Sequence, residues 1–273
     1  MKRKLIPQGG SSLTLYLPKN WVDKNNLKAG EEVDVDIAEN NVIVFPSKSK
    51  HEKKKISLVL PKKESIARTL LVNAYRAGFD VIEISGADIK FINHIAEKFL
   101  VGFEAFRNNE KIVLESVSEP SYEEFNNLVQ KQFFLLEEVI TDFDEEYVLK
   151  IQKYDNFLKR CISKGIFSHK AGFFLWQLLS ELTHSARLIL HSKKKFSGDE
   201  KDVLQQIKEM IVLLRTAFLK NDVVLLEKIH HVHDSLMDRL NKNVDLALIV
   251  KQVYLVNSPL IGFIELSGFS KSF

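Results

Sequence analysis

The sequence predicts an α+β protein of several domains: an N-terminal β domain, a small α/β module and an all-α C-terminal half. Three observations predict this class. Apolar and polar residues alternate in the first 46 residues, strand-like and helix-like segments alternate over 56–117, and apolar residues recur every three or four positions from residue 121 onward. A length of 273 residues, 45% hydrophobic and 27% charged, is typical of a soluble protein of two or three domains.

The N-terminal segment has the pattern of a small β domain. Leucines alternate with threonine and tyrosine over 13–17, and apolar residues alternate with acidic ones over 33–37. Each stretch is therefore predicted to be a strand with one buried face. Pro18 suits the first position of a short helix, and 27–30 has the residues of a helix end and turn. A unit of about forty-five residues is close to the size at which a monomeric core becomes too small, so we expect it to pair with a second copy.

Positive charge is concentrated at the front of the chain. Residues 1–63 carry 13 lysines and arginines against 7 acidic residues, whereas the remainder carries 26 against 29, within a net charge of +3. Cations that neutralise DNA phosphates release counterions, so a dimer with two such ends doubles this contribution to affinity. Arg3, Lys4 and Lys19 are the best candidates for these contacts. For the lysine-rich stretch 48–55, solubility alone is an alternative explanation.

Residues 3–46 resemble the SpoVT/AbrB swapped-hairpin domain through the segments RKLIPQGGSSLTLYLPKNW, LKAGEEVDV and VIVFP. The resemblance implies a homodimer that binds double-stranded DNA. The loop at 9–12 is similar to the family's DNA-facing loop, where many members have an arginine and this chain has Ser11 and Ser12. Hydroxyl groups bond to phosphates or base edges but add no charge. Ser11 and Ser12 therefore join the three cations as predicted DNA-binding residues.

The middle of the chain is predicted to hold a linker and a small α/β module. Residues 48–55 are polar and without periodicity, as expected of a basic linker between a first domain at 1–47 and a module at 56–119. The segments AYRAGFDVIEI and VGFE resemble the linker module of prokaryotic, chiefly archaeal, PhoU-like regulators, which implies that the module spaces the flanking domains. Its predicted strands are 56–60, 81–85, one near 103 and 112–117, and its predicted helices are 63–77 and 89–100.

The C-terminal half, 120–273, is predicted to form six helices in two sets of three. Apolar residues recur at helical spacing, and residues such as Asp144 and Ser168 mark the breaks. On the third helix a stripe from Leu175 to Leu190 occupies one face, as in a helix bundle. The predicted helices are 121–141, 145–163, 168–193, 199–219, 222–242 and 244–258.

This half resembles the PhoU fold, a pair of three-helix bundles whose metal-binding helices carry Glu or Asp followed four residues later by Asp. Carboxylates at this spacing share a helix face, where their oxygens can hold a hard cation or a metal cluster. The chain keeps Asp155 and Glu181 but has Ile151 and Ser185 at the paired positions. We therefore predict no cofactor and keep the remaining carboxylates as weak metal candidates.

Two further metal candidates, His230 and Asp234, lie on the fifth predicted helix. An apolar stripe from Leu225 to Leu240 points away from them, so a solvated helix face is the alternative to a surface metal site. For Asp155, which shares a face with apolar residues, a structural hydrogen bond is the alternative to a metal.

Several function classes find little support in the sequence. No secretory signal is present, and charged residues and Pro259 interrupt the apolar stretch 244–264, so we expect a cytoplasmic protein without membrane insertion. Cys161 is the single cysteine, which excludes an internal disulfide. The isolated Gly78 and Gly86 form no phosphate loop, and no convergent catalytic set is visible, so an enzyme is not expected.

The sequence leaves two hypotheses for function. The first is a DNA-binding transcriptional regulator of the PhoU/AbrB type, linked to phosphate uptake, whose helical domain senses an effector or docks on a phosphate-transport or signalling protein. The second is a dimeric scaffold with little DNA binding, whose helical bundle regulates a transporter or kinase. The phosphate link follows from the family resemblance alone.

Overall fold

The computed structural model describes residues 3–8, 13–38, 41–46, 53–118, 122–165, 167–192, 198–240 and 243–267. The chain divides into two compact units, Met1–Glu52, here unit 1, and Lys53–Phe273, here unit 2. The predicted Ser11 and Ser12 lie outside the described residues, as does most of the predicted linker at 48–55.

The described residues of unit 1 form two short antiparallel hairpins and one helix. Strand β1 pairs with β2, and β3 pairs with β4 in a register that aligns Val35 with Val44. The helix α1 follows Pro18, whose carbonyl accepts hydrogen bonds from the Trp21 and Val22 N–H groups, both at 3.0 Å. Pro18 is thus the N-cap, one position before the predicted one. The bounds are β1 Ile6–Pro7, β2 Leu13–Thr14, α1 Lys19–Lys24, β3 Val33–Ala38 and β4 Asn41–Pro46.

The prediction that each strand of unit 1 has a buried face is wrong for a single chain. Leu13 is 60% exposed and Leu15, which lies beyond the two-residue strand β2, is 48% exposed. Val35 and Val42, on the other hairpin, are also exposed. Among the side chains that the structure describes in unit 1, none is buried. The physical reason is that the two hairpins and the short helix described in unit 1 provide no second layer to cover an apolar face.

Unit 2 begins with a four-stranded sheet in the order β5-β6-β8-β7. Strands β5 and β6 are parallel, while β8 runs antiparallel to both β6 and β7. The turn between β7 and β8 has Asn109 at a φ of 55°, a left-handed conformation that asparagine tolerates. The predicted bounds are confirmed to within one residue, and the strand predicted near 103 begins there; the elements are β5 Lys55–Val59, α2 Glu64–Arg76, β6 Val81–Ser85, α3 Ile89–Phe99, β7 Phe103–Asn108 and β8 Lys111–Ser116.

Helices make up the rest of unit 2. Asp144, Ser168 and Asn243 cap three of them by accepting backbone N–H groups with their side chains. The sixth predicted helix is interrupted, because Pro259 has no N–H to donate to the carbonyl of Leu255. The described helices are α4 Tyr122–Asp142, α5 Glu145–Ser163, α6 His169–His191, α7 Gly198–Lys220, α8 Val224–Arg239, α9 Val244–Tyr254 and α10 Asn257–Leu266.

These helices pack in two sets of three. α4, α5 and α6 pack against one another, as do α7, α8 and α9, and the α4–α7 and α6–α9 contacts join the sets. The predicted stripe of α6 is buried from Leu175 through Ile189. Helix α10 lies against α6 and approaches it closely at Gly262.

The four-stranded sheet and its helices α2 and α3, here called the sheet module, form one unit with the later helices. This is because α5 packs against both α2 and α3. One stretch among the described residues, Val244–Leu266, is long and apolar enough to cross a membrane by length and composition, and 56% of its most apolar window is buried inside the structure. The core helix of a soluble protein passes the same test.

Candidate nucleic-acid interface and polar sites

The predicted DNA-binding cations of unit 1 lie at two places along the chain. Arg3 and Lys4 are exposed and precede β1, while Lys19 is exposed at the first position of α1. The residues between β1 and β2 include Ser11 and Ser12, and the strands on either side are tied by a hydrogen bond from the Thr14 hydroxyl to the Gln8 side-chain oxygen. All three side chains are exposed, so phosphates can reach them.

Exposed apolar side chains accompany these cations in unit 1. Leu5, Ile6, Leu13, Leu15 and Tyr16 are all at least 41% exposed. Apolar side chains clustered in one short segment are unusual on a monomer and mark an interaction surface. Unit 1 therefore combines a basic start with an apolar surface that a single chain leaves uncovered.

The weak metal candidate Asp155 is fully buried on α5 and is held by two cations. One carboxylate oxygen lies 2.7 Å from Arg76 Nη2, and the other lies 2.7 Å from Lys159 Nζ. The Arg76 Nε also donates to the Asn156 side-chain oxygen at 2.9 Å. Two neighbouring positive charges offset the cost of burying a carboxylate. The geometry matches the hydrogen-bonded alternative rather than a metal ligand.

The candidate Glu181 lies on α6 with a different set of partners. Its carboxylate accepts a hydrogen bond of 2.7 Å from Gln252 Nε2 on α9. Ser185, which stands at the paired carboxylate position, donates its hydroxyl to the Glu181 carbonyl at 2.8 Å. Because Asp155 pairs with α2 and Glu181 with α9, the structure does not bring the two carboxylates into one site.

The candidates His230 and Asp234 do come together on α8. His230 Nε2 is 3.4 Å from Asp234, and His233 Nδ1 is 2.9 Å from the same carboxylate. The ligand atoms of the three residues lie within 4.8 Å of one another, which suits three ligands of one cation. A hydrogen bond from His233 lowers the pKa of Asp234, and the charges of the nearby histidines act in the same direction. The His230 and Asp234 side chains are each 55% exposed, and His230 Nδ1 is 2.8 Å from the Tyr254 hydroxyl.

His233 stands in the same histidine-rich segment in the sequence, and the structure adds it to the predicted pair of His230 and Asp234. The sequence signal was available, because residues at i, i+3 and i+4 share one helix face. The stacking of His233 on Tyr254, with ring centroids 4.0 Å apart, depends on α9 and could not be read from α8 alone.

Sequence reasoning also missed a cleft around Asp155, here called the cationic cleft. It lies between α2, α5 and α6 and has a volume of about 380 Å³. Its charged lining comprises Arg68, Arg76, Asp155, Lys159 and Arg187. The spacing within each helix was visible in the sequence, but the convergence of three helices was not.

Comparison with known proteins supports the assignment of unit 1. A family model described as antidote-toxin recognition MazE, bacterial antitoxin, matches residues 8–51. No curated protein and no solved structure matches the chain. The N-terminal part is thus similar to a swapped-hairpin antitoxin domain. The PhoU resemblance of the helical half has no matching family.

Proposed function

We propose that the protein is a DNA-binding regulator whose unit 1 forms a dimer and contacts duplex DNA. The observation that carries this proposal is the antitoxin-domain match over residues 8–51, the stretch in which the described structure contains no buried side chain. A second copy supplies the missing layer, so folding of unit 1 and dimerisation are coupled.

Dimerisation also explains how a modest basic segment binds DNA. Two copies of Arg3, Lys4 and Lys19 provide six exposed cations around a two-fold axis. Each phosphate that they neutralise adds to an affinity that rises as the salt concentration falls. The two-fold axis favours paired half-sites on the duplex.

The test is fluorescence anisotropy of labelled genomic duplexes across a salt series. The Arg3→Ala, Lys4→Ala variant is compared with a control of equal charge change in unit 2, Lys90→Ala, Arg107→Ala. We expect the first variant to weaken binding and to lower the slope of log K against log salt by about 0.9 for each lost phosphate contact. The control should bind like the intact protein, and equal losses in both variants would show that only net charge matters.

A second function is favoured by the description of the matched family. A domain similar to an antitoxin's can recognise a protein, so the alternative is a dimeric interaction protein with little DNA binding. In the same assay this alternative predicts a dimer that leaves genomic duplexes free at low salt.

The finer parts of the hypothesis remain proposals. The link to phosphate uptake, the docking of the helical half on a transport or signalling protein and the cytoplasmic location follow from the family resemblance and from the DNA partner. We propose no catalytic step; the polar sites described above are ion pairs, the cationic cleft and an exposed histidine cluster.

A further inference from the structure

The cationic cleft in unit 2 is built from polar stripes on three helices. On α6, Ser180, Thr183 and Arg187 follow one another at spacings of three and four residues, so they share a face. Helix α2 contributes Arg68 and Arg76, eight residues apart. These stripes line one cleft of about 380 Å³, within the size range of small-molecule sites.

The charge of the cleft is unbalanced. Four side chains with positive charge line it, and one carboxylate, Asp155, opposes them. Asp155 is already shared between Arg76 and Lys159. Among the described residues, no carboxylate lies within 4.0 Å of the guanidinium of Arg187. A partly buried cation without a counterion is costly unless something else neutralises it.

The pKa values of Arg187 and Lys159, which line the cleft, are both lowered, as expected for burial together with an excess of positive charge. Burial lowers the pKa of Arg187, Asp155 raises it, and the charges of Arg76 and Arg68 lower it further. Burial also lowers the pKa of Lys159, with Arg76 and Arg187 acting in the same direction against Asp155. The cations of the cleft are therefore close enough to repel one another.

Thr183 provides an independent indication of a ligand. It is 4% exposed, and its hydroxyl has no hydrogen-bond partner in the described part of the chain. Buried hydroxyl groups are nearly always paired, since an unpaired one costs free energy. Thr183 lines the cleft one helical turn from Arg187. An oxygen atom of a bound anion can accept a hydrogen bond from its hydroxyl there.

We infer that the cationic cleft binds a small, multiply charged oxyanion, held by Arg187 and Arg68 and by the Thr183 hydroxyl. Guanidinium groups present paired N–H donors that match phosphoryl and carboxylate oxygens. An anion with two or three negative charges neutralises the excess positive charge of the cleft. Because the cleft joins the sheet module to the helices, the ligand contacts both parts of unit 2.

The experiment is isothermal titration calorimetry, which measures the affinity of the full chain for inorganic phosphate, citrate and adenosine diphosphate at constant ionic strength. The three probes separate a simple phosphate, a polycarboxylate and a phosphate carried on an organic body. We expect saturable binding of at least one probe, and Arg187→Gln should weaken it by about tenfold or more, as expected for loss of a charge-assisted contact. The control is Arg239→Gln, which removes the same charge from a surface pair with Asp202.

A second variant keeps the inference falsifiable if Arg187→Gln fails to fold. Thr183→Val preserves the shape of the side chain and removes a hydroxyl that has no hydrogen-bond partner among the described residues. This variant should leave the unfolding temperature unchanged or raise it, while it lowers the affinity for the anion. No saturable binding by any probe, or equal weakening in Arg187→Gln and Arg239→Gln, would overturn the inference.

Discussion

At the scale of single residues, buried ion pairs join the strand β6 region to α5 in unit 2. Arg160, 1% exposed, donates from Nη2 to Asp80 at 2.5 Å and from Nη1 to the Phe79 carbonyl at 2.7 Å. Lys164 Nζ lies 2.6 Å from the same carboxylate, and the Lys54 N–H donates to it at 3.0 Å. These bonds tie the loop before β6 to α5.

Removing the charge of Asp80 is expected to destabilise unit 2 strongly. Asp80→Asn removes the charge that faces the buried Arg160 and the neighbouring Lys164, which costs about 3–5 kcal/mol in the free energy of unfolding. Asp202→Asn is the matched control, because its pair with Arg239 is exposed and contributes about 0–1 kcal/mol. Urea unfolding of the two variants measures both values, and similar losses would show that the buried pair contributes no more than a surface one.

Asp80 also predicts how stability depends on pH. Burial opposes ionisation, but hydrogen bonds from Lys164 and the Lys54 N–H and the charges of Lys164 and Arg160 lower the pKa of Asp80 below its ordinary 3.8. A carboxyl with a lowered pKa in the folded state stabilises the protein above its unfolded pKa, and this contribution is lost as the pH falls through the folded value. Stability should therefore decline below about pH 4, and the decline should be shallower in Asp80→Asn. Parallel pH profiles would contradict the assignment.

At the scale of elements, the sequence predicted most helices and strands of unit 2 because their apolar periods are long and regular. It did not predict that the helix over 244–258 breaks after Tyr254, because the apolar residues on either side of that break keep helical spacing. Nor could it predict the cationic cleft, since Arg76, Asp155 and Arg187 are distant in sequence and meet only when α2, α5 and α6 pack. Helix faces are encoded locally, whereas their partners depend on tertiary packing.

The contact between α10 and α6 gives a prediction at this scale. A Cβ at Gly262 would lie 2.2 Å from a ring carbon of Phe174. Alanine stabilises a helix by about 0.5–1 kcal/mol over glycine, but overpacking costs about 1–3 kcal/mol, so Gly262→Ala should be destabilising. Thermal unfolding measures the change, and Ile261→Ala, at an exposed position of the same helix, is the control.

The double variant Gly262→Ala, Phe174→Ala should remove the clash. If Gly262→Ala alone were as stable as the intact protein, the ring of Phe174 would have to move aside freely.

At the scale of the whole molecule, unit 1 is where sequence and structure differ most. The alternation over 13–17 predicted a buried face, but the single chain leaves Leu13 and Leu15 exposed. The pattern specifies a buried face without specifying which chain buries it. A dimer of unit 1 reconciles the pattern with the exposure.

The proposed dimer of unit 1 predicts the effect of placing a charge on the apolar surface that contains Leu15. Leu15→Asp places a carboxylate where the second copy should pack, so the protein should sediment as a monomer. Leu248→Asp is the matched control, because Leu248 is also 48% exposed but lies on α9 in unit 2. The control should remain dimeric, and a dimer that survives Leu15→Asp would place the interface elsewhere.

The most direct test of the central claim joins dimerisation to DNA binding. It is sedimentation of a fluorescently labelled genomic duplex with the intact protein and with Leu15→Asp, at low and moderate salt. We predict a complex of two chains per duplex that weakens with salt, and loss of that complex in the variant. A duplex that sediments unchanged with the intact protein, or a variant that binds as a monomer with equal affinity, would contradict the proposal that unit 1 is a dimeric DNA-binding module.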